Sequence, residues 1–318
     1  MNGSDAAPFI MSPTVRAGDT VPTITFAIPF YRGSDYLARA VASVVNQTRD
    51  DWRLVVVDDG GPDGEPAAEI VEALRDPRAR YVRAEQNVGL AGNWNRGLDL
   101  ASTPFVTLLH ADDELLPGYA AAVLGGHVRH LSAAGVFCEV DVIDAAGRPT
   151  ISPPDLFKRM LAPRRATDRE LVGDRGLARL MVGNTIFCPT VCWRTATIGA
   201  RRFDPAWRFV VDLDFVTDLL LDGACLVGIP EVAYRYRRHG ESQTALLTET
   251  SERFDEEVAF HRAVAARAAA HGWTRSARLA RLRPSVRLHD GLRSVESVAR
   301  RAGRVVRPRR DGEDLRNG

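Results

Sequence analysis

A chain of 318 residues in which 45% of the side chains are hydrophobic can enclose the core of one large α/β domain with an extension, or of two modest domains. Its 42 basic and 41 acidic residues leave a net charge of +1, which argues for neither nucleic acid nor an acidic partner, so no nucleic acid is expected, and its four cysteines show neither C-x-x-C spacing nor the density of a disulfide scaffold. No run approaches the ~20 apolar residues needed to span a bilayer, so a cytoplasmic protein is expected, soluble or peripheral to the inner face of the membrane.

Residues 1–20 are polar and small and read as a disordered tail. The β-branched run Ile24–Pro29 predicts a strand, Ser34-Asp35 an N-cap, and the apolar periodicity of Tyr36–Val45 a helix. Trp52–Val57 reads as a second strand, Asp58–Pro66 as a Gly/Pro/Asp loop and Ala67–Leu74 as a second helix. A short strand at Arg80–Ala84, a helix at Leu90–Ala101 and a buried strand at Pro104–Leu109 extend a β-α alternation that implies a parallel sheet covered on both faces. Past Pro117 the pattern loosens into a helix over Tyr119–Leu131, a strand at Gly135–Val142, and a polar, proline-containing loop from Asp144 to about Asp168, a length usual for functional or mobile loops. A weak helix at Leu177–Met181, a strand at Thr190–Arg194, a helix at Asp212–Leu221 and strands at Cys225–Ile229 and Val232–Tyr236 follow. From Glu249 onward the chain reads as helical and rich in Ala and Arg; Lys158 is the only lysine, a bias that points to a GC-rich bacterial genome.

Two acidic clusters each follow a hydrophobic run: Val57-Asp58-Asp59-Gly60-Gly61 and Leu109-His110-Ala111-Asp112-Asp113. A carboxylate at the C-terminal end of a parallel strand lies in the crevice where open α/β sheets bind ligands. One cluster is placed to read a nucleotide and the other to hold its metal, since hard divalent cations take carboxylate oxygens. The structural alternative is an Asx-turn into Gly60-Gly61 at the first and helix-capping aspartates at the second.

Ile28-Pro29-Phe30-Tyr31, Val57-Asp58-Asp59-Gly60, Asn87-Val88-Gly89 through Asn95, and His110-Ala111-Asp112-Asp113 through Pro117 together resemble, in order and spacing, the nucleotide-binding half of a family 2 glycosyltransferase of the GT-A fold. The resemblance continues through Val211-Asp212-Leu213-Asp214 and Tyr234-Arg235-Tyr236-Arg237-Arg238-His239 and covers roughly residues 21–245. It implies a Rossmann-like, mostly parallel sheet with helices on both faces. The nucleotide-sugar half would span 21–117, the acceptor half 118–245, and an Arg-rich helical extension 246–318.

The same resemblance implies a nucleotide-diphosphate sugar donor, a UDP- or dTDP-sugar favoured, with Mg²⁺ or Mn²⁺ as cofactor. Asp113, with Asp112, would hold the metal and meet the donor; His239 would complete the metal shell or meet the diphosphate, with Arg235, Arg237 or Arg238 as further phosphate donors. Asp59 would accept the imide N–H of the base, Tyr31 would stack on it, and Pro29 and Asn95 would join the donor contacts. Three positions depart from the common pattern: His110 stands for the first Asp of D-x-D, Trp94 for an arginine, and Val211 for an acid.

An inverting transfer needs one carboxylate to take the acceptor's proton, and Asp212 is the candidate, with helix capping as its plain alternative and Asp214 as its rival. Asn184, Trp193 and Trp207 fall in the acceptor half, where sugar stacking competes with core packing as the role of the tryptophans. No Q-x-x-R-W motif of chain-polymerising relatives is present, so single addition to a hydroxyl or amine acceptor is expected, small-molecule, lipid-linked or glycan, in glycan, cell-envelope or natural-product biosynthesis. A non-catalytic nucleotide-sugar-binding protein of the same fold and a sugar nucleotidyltransferase are the alternatives. In the C-terminal extension, Leu279, Leu282, Val286, Val295 and Val298 among arginines fit either a solvated terminal helix or a peripheral contact with anionic lipid.

Overall fold

A computed structural model of the chain describes residues 23–164, 166–240 and 252–284. The N-terminal tail lies outside the described residues, as do Val286, Val295 and Val298 of the C-terminal extension.

The first part follows the expected alternation: β1 (Ile24–Phe30), α1 (Ser34–Val45), β2 (Trp52–Asp58), α2 (Gly64–Glu72), β3 (Ala79–Arg83), α3 (Gly89–Asp99) and β4 (Phe105–Leu108). These four strands are parallel, in the order β3-β2-β1-β4. Side chains alternate across the sheet, as the two-residue period of a strand requires. Ile28 and Val56 face a core layer shared with Leu37 and Val41 of α1, while Ala27 and Val57 face a second layer with Trp94 and Leu98 of α3.

The second part is mixed rather than parallel. It runs β5 (Glu114–Leu115), α4 (Tyr119–Arg129), β6 (Ala133–Ile143), α5 (Pro153–Leu161), β7 (Arg169–Val172), α6 (Gly173–Val182), a 3₁₀ turn (Cys188–Thr190), β8 (Val191–Arg194), α7 (Thr195–Ile198), α8 (Val211–Leu221) and β9 (Cys225–Arg237). β8 enters antiparallel between β4 and β6. β9 lies parallel to β6, and its two ends pair antiparallel with β7 and β5.

Three expectations change. Ser34-Asp35 does not cap α1; the cap is Gly33, at φ 91 where only glycine is relaxed, and its N–H donates to Asp63 Oδ2 at 2.8 Å. The predicted loop from Asp144 contains α5, whose N-terminus is capped by a Ser152–Asp155 capping box. Proline in a first helical turn removes an N–H that has no partner there anyway, so it starts this helix instead of breaking one. The two strands expected on either side of Pro230 are one strand, β9, whose register against β6 shifts near the proline.

Two further helices, α9 (Glu252–Ala270) and α10 (Thr274–Leu282), pack into the core layer of α6 and α8 through Phe260, Val264, Ala268, Ala277 and Ala280. Arg267 of α9 is paired with Asp214 at 3.1 Å and with Asp218. No helix among the described residues is long and apolar enough to cross a membrane.

Candidate active site

The C-terminal ends of β1 and β2 meet closely. Phe30 and Asp58 are register partners, and the Asp59 N–H donates to the Phe30 carbonyl at 2.9 Å. Asp58 is fully buried and accepts from the Gly61 N–H at 3.0 Å, the Tyr81 hydroxyl at 2.5 Å and Arg83 Nη1 at 2.5 Å, which makes it the organiser of the loop. Asp59 accepts the Val88 and Gly89 N–H groups at 2.8 and 2.9 Å, one on each oxygen, and so fixes the start of α3. Each carboxylate oxygen has a second lone pair, which leaves Asp59 acceptor capacity. Tyr31 is 44% exposed beside it, Pro29 is half-buried, and a Cβ at Gly61 would stand 1.6 Å from the Tyr31 carbonyl oxygen.

At the end of β4 the chain turns through His110 to Asp113, whose N–H donates to the His110 carbonyl at 3.2 Å. Ligand atoms of His110, Asp112 and Asp113 all lie within 4.8 Å of one another. Asp113 is stapled to β9: Oδ1 accepts the Arg237 N–H at 2.7 Å and Oδ2 the Tyr234 hydroxyl at 2.9 Å. Burial, joined by the charge of Asp112, pushes its carboxyl well above the usual range. Asp112 pairs with His239 Nε2 at 2.8 Å. Burial raises its carboxyl, but the hydrogen bond from His239 and the nearby imidazoles of His110 and His239 outweigh this and hold it below the ordinary value.

The resemblance names Asp113 first among the metal ligands; of the two carboxylates, Asp112 has the more accessible oxygens. The Asp112 side chain is 29% exposed against 1% for Asp113, whose oxygens are already engaged by β9. His110 Nε2 is buried with no partner, and burial lowers its pKa against the opposing pull of Asp112, so the ring is in the neutral form that binds metals. A neutral imidazole whose ligand atom lies within 4.8 Å of those of two carboxylates is a donor set that fits a divalent cation. His239 also packs on Tyr36, with ring centroids 5.2 Å apart.

Of the three arginines at the end of β9 and just beyond it, Arg237 and Arg238 are engaged within the protein, while Arg235 keeps a side chain 48% exposed. Arg237 is 1% exposed and donates to the carbonyls of Asp112 at 2.7 Å and Asp144 at 3.1 Å and to the Glu114 carboxylate. Arg238 holds Asp155 of α5 at 2.6 Å, and Arg235 lies 3.4 Å from Glu114. Asn95, expected among the donor contacts, engages both ends of its amide with Phe203: Nδ2 donates to the carbonyl at 2.8 Å and Oδ1 accepts the N–H at 2.7 Å.

Asp212 lies in the first turn of α8, where Asn184 Nδ2 donates to its Oδ2 at 3.4 Å. Burial raises its carboxyl, and Lys158 opposes that rise. Asp214 is instead tied to Arg267, an anchor of α8 on α9. Trp193 is 2% exposed and edge-on to Phe215 at 5.3 Å, a core residue; Trp207 is half-buried, edge-on to Phe260 at 6.0 Å. Lys158, unassigned by sequence reasoning, donates from Nζ to the Ile186 carbonyl at 3.3 Å. Its signal was its singularity as the one lysine.

The sequence model described as glycosyl transferase family 2 matches residues 25–187. The chain is 32% identical over 126 residues to the succinoglycan biosynthesis protein ExoO of Rhizobium meliloti, covering 40% of this chain and 34% of that protein. It is 34% identical over 107 residues to the GalNAc(5)-diNAcBac-PP-undecaprenol beta-1,3-glucosyltransferase of Campylobacter jejuni, covering 33% of this chain and 34% of that enzyme. The chain thus spans about a third of the length of these two relatives. S. aureus TarS 1-349, solved in complex with UDP-GlcNAc, shares the fold at a TM-score of 0.60 and 18% identity, over 75% of this chain and 65% of that one. The fold is the GT-A fold.

Proposed function

The chain belongs to glycosyl transferase family 2, and from that membership we propose that it moves a single sugar from a nucleotide-diphosphate sugar to a hydroxyl or amine acceptor in glycan or cell-envelope biosynthesis, with inversion at the anomeric carbon. The observation that carries the reading is the junction of Asp112 from the end of β4 with His239 from the end of β9, beside His110. A junction of this kind at the carboxyl ends of the strands suits a diphosphate and its counter-charge. The donor is a UDP- or dTDP-sugar, a reading supported by the likeness of the fold to TarS, which is solved with UDP-GlcNAc.

In this reading Asp59 accepts the imide N–H of the base while Tyr31 covers its face. Asp112, with His110, Asp113 and His239 around it, holds the divalent cation, Mn²⁺ suiting the imidazole nitrogen better than Mg²⁺ does. Bound there, the cation supplies Lewis-acid neutralisation of the charge that develops on the departing diphosphate. Asp212 is the base: as the acceptor oxygen attacks the anomeric carbon and the bond to the diphosphate breaks, the acceptor's proton passes to its carboxylate. A base lifted by burial is the stronger proton acceptor, and such a group is worth typically about 10²–10⁴-fold in rate.

The test is a panel of UDP-, dTDP- and GDP-sugars, scored by thermal shift with and without Mn²⁺ and then by transfer with product stereochemistry. A product of unchanged anomeric configuration would overturn inversion. Tight donor binding without turnover would instead establish a non-catalytic binding protein. Asp212→Asn is expected to keep donor affinity and abolish transfer; full transfer by this variant removes Asp212 from the base role.

A further inference from the structure

Lys158 is the only lysine in the chain, and α5 delivers it to the acceptor side of the site. The first turn of α5 is pinned by Asp155, which accepts from Arg238 Nη2 at 2.6 Å, one residue before His239. One turn on, Lys158 Nζ donates to the Ile186 carbonyl at 3.3 Å and lies 3.9 Å from the centre of the Phe187 ring. The Ile186 N–H in turn donates to Asn184 Oδ1 at 3.0 Å, and the other end of the same amide donates to Asp212 Oδ2 at 3.4 Å. The loop 184–187 therefore joins the ammonium of α5 to the carboxylate of α8.

We propose that Lys158 is a positioning residue for transfer, its ammonium holding Asp212 as a carboxylate turned toward the acceptor hydroxyl. The inference rests on Asp212 being the base. Facing Asp212 are Lys158 from α5, Asn184 from the loop and Cys188 from the 3₁₀ turn; facing Lys158 are Asp155 of its own helix, Arg238 beyond β9, Cys188 and Asp212. Burial, and then Arg238, lower the Lys158 amine to about 8, against the pull of Asp212 and Asp155. Burial raises Asp212 and Lys158 restrains it, so both groups are charged between the carboxyl's own titration and about pH 8. Loss of the ammonium removes the largest interaction opposing burial, leaving the Asn184 and backbone hydrogen bonds, and moves the titration of the base upward.

A single side-chain amine makes the test direct. Competitive acylation of the full chain with acetic anhydride across pH, read by mass spectrometry on the Lys158 peptide, gives the titration midpoint of Lys158. In Asp212→Asn this midpoint is expected to fall; a midpoint equal to that of the wild-type chain overturns the proposal. In Lys158→Met the acid limb of kcat/KM is expected to move up by about one pH unit, while Lys158→Arg keeps it in place. An unmoved limb in a Lys158→Met protein that retains donor binding also overturns the proposal. Absence of transfer by the wild-type chain would count against the transferase reading instead, and the acylation arm still decides whether the two groups are coupled.

Discussion

The rings of Trp94 and His110 lie 5.4 Å apart with their planes 32° from parallel. Two of the positions at which this chain departs from the family pattern thus touch each other. An arginine expected at the first and an aspartate at the second are replaced together by two packed rings, which leaves the summed charge of the two positions unchanged. Trp94 also meets Phe203 edge-on at 5.0 Å, and Phe203 stacks on Phe215 of α8 at 4.3 Å, so one run of rings links His110 to the helix of Asp212.

Trp94→Ala is expected to cost about 3–5 kcal/mol of stability, the range for truncating a buried aromatic. Trp94 is 5% exposed and holds His110 from one side. Urea unfolding measures the loss, and Trp94→Phe should recover a large part of it. A Trp94→Ala protein as stable as the wild type would show that the ring run carries no packing energy.

Asp112→Asn and Asp113→Asn are expected to fail differently. The first removes the half-exposed carboxylate and should abolish the Mn²⁺-dependent part of the thermal shift given by UDP, with the fold intact. The second leaves the Arg237 N–H and Tyr234 hydroxyl facing an amide at a buried position. Its main effect should be on stability, about 1–3 kcal/mol. Equal loss of the Mn²⁺ response with no loss of stability in Asp113→Asn would restore Asp113 as the leading ligand.

Asp155 links α5 to the end of β9, and its contribution should depend on pH. Burial raises its carboxyl, but hydrogen bonds from Arg238 and Ser152 outweigh burial and hold it below the ordinary value. A carboxyl depressed in the folded state stabilises above its unfolded pKa of about 3.9 and loses that stabilisation as pH falls through the folded value. Asp155→Asn should therefore be less stable than wild type by about 1–3 kcal/mol at pH 7, and the gap should close at strongly acid pH. Paired urea titrations at neutral and acid pH decide the matter; a gap independent of pH would mean that capping alone is lost.

Gly61→Ala should push the β1 and β2 ends apart, because the added carbon would stand 1.6 Å from the Tyr31 carbonyl oxygen. Overpacking of this kind costs about 1–3 kcal/mol. Tyr31 and Asp59 flank the proposed base site, so UDP affinity measured by calorimetry should fall together with stability. Unchanged affinity in a folded Gly61→Ala protein would take the base away from this junction.

The strands and helices from Ile24 to Leu108 were legible because their alternation is local: apolar period two in the strands, apolar faces in the helices, and glycine-rich loops between. The same locality put Asp59 and Asp112-Asp113 at strand ends, and the order of the motifs was enough for the family. What each of those carboxylates does was decided by partners that converge only in three dimensions. Asp113 is held by Tyr234 and Arg237, 121 and 124 residues away, through a strand pairing that no local period encodes. Asn95 is engaged by Phe203, 108 residues on, and Lys158 became a neighbour of Asp212 only because a proline-led segment folded as α5. Local periodicity specifies where a polar group stands along its element; whether that group is spent on the fold or left free for a ligand depends on the donors that distant elements bring to it.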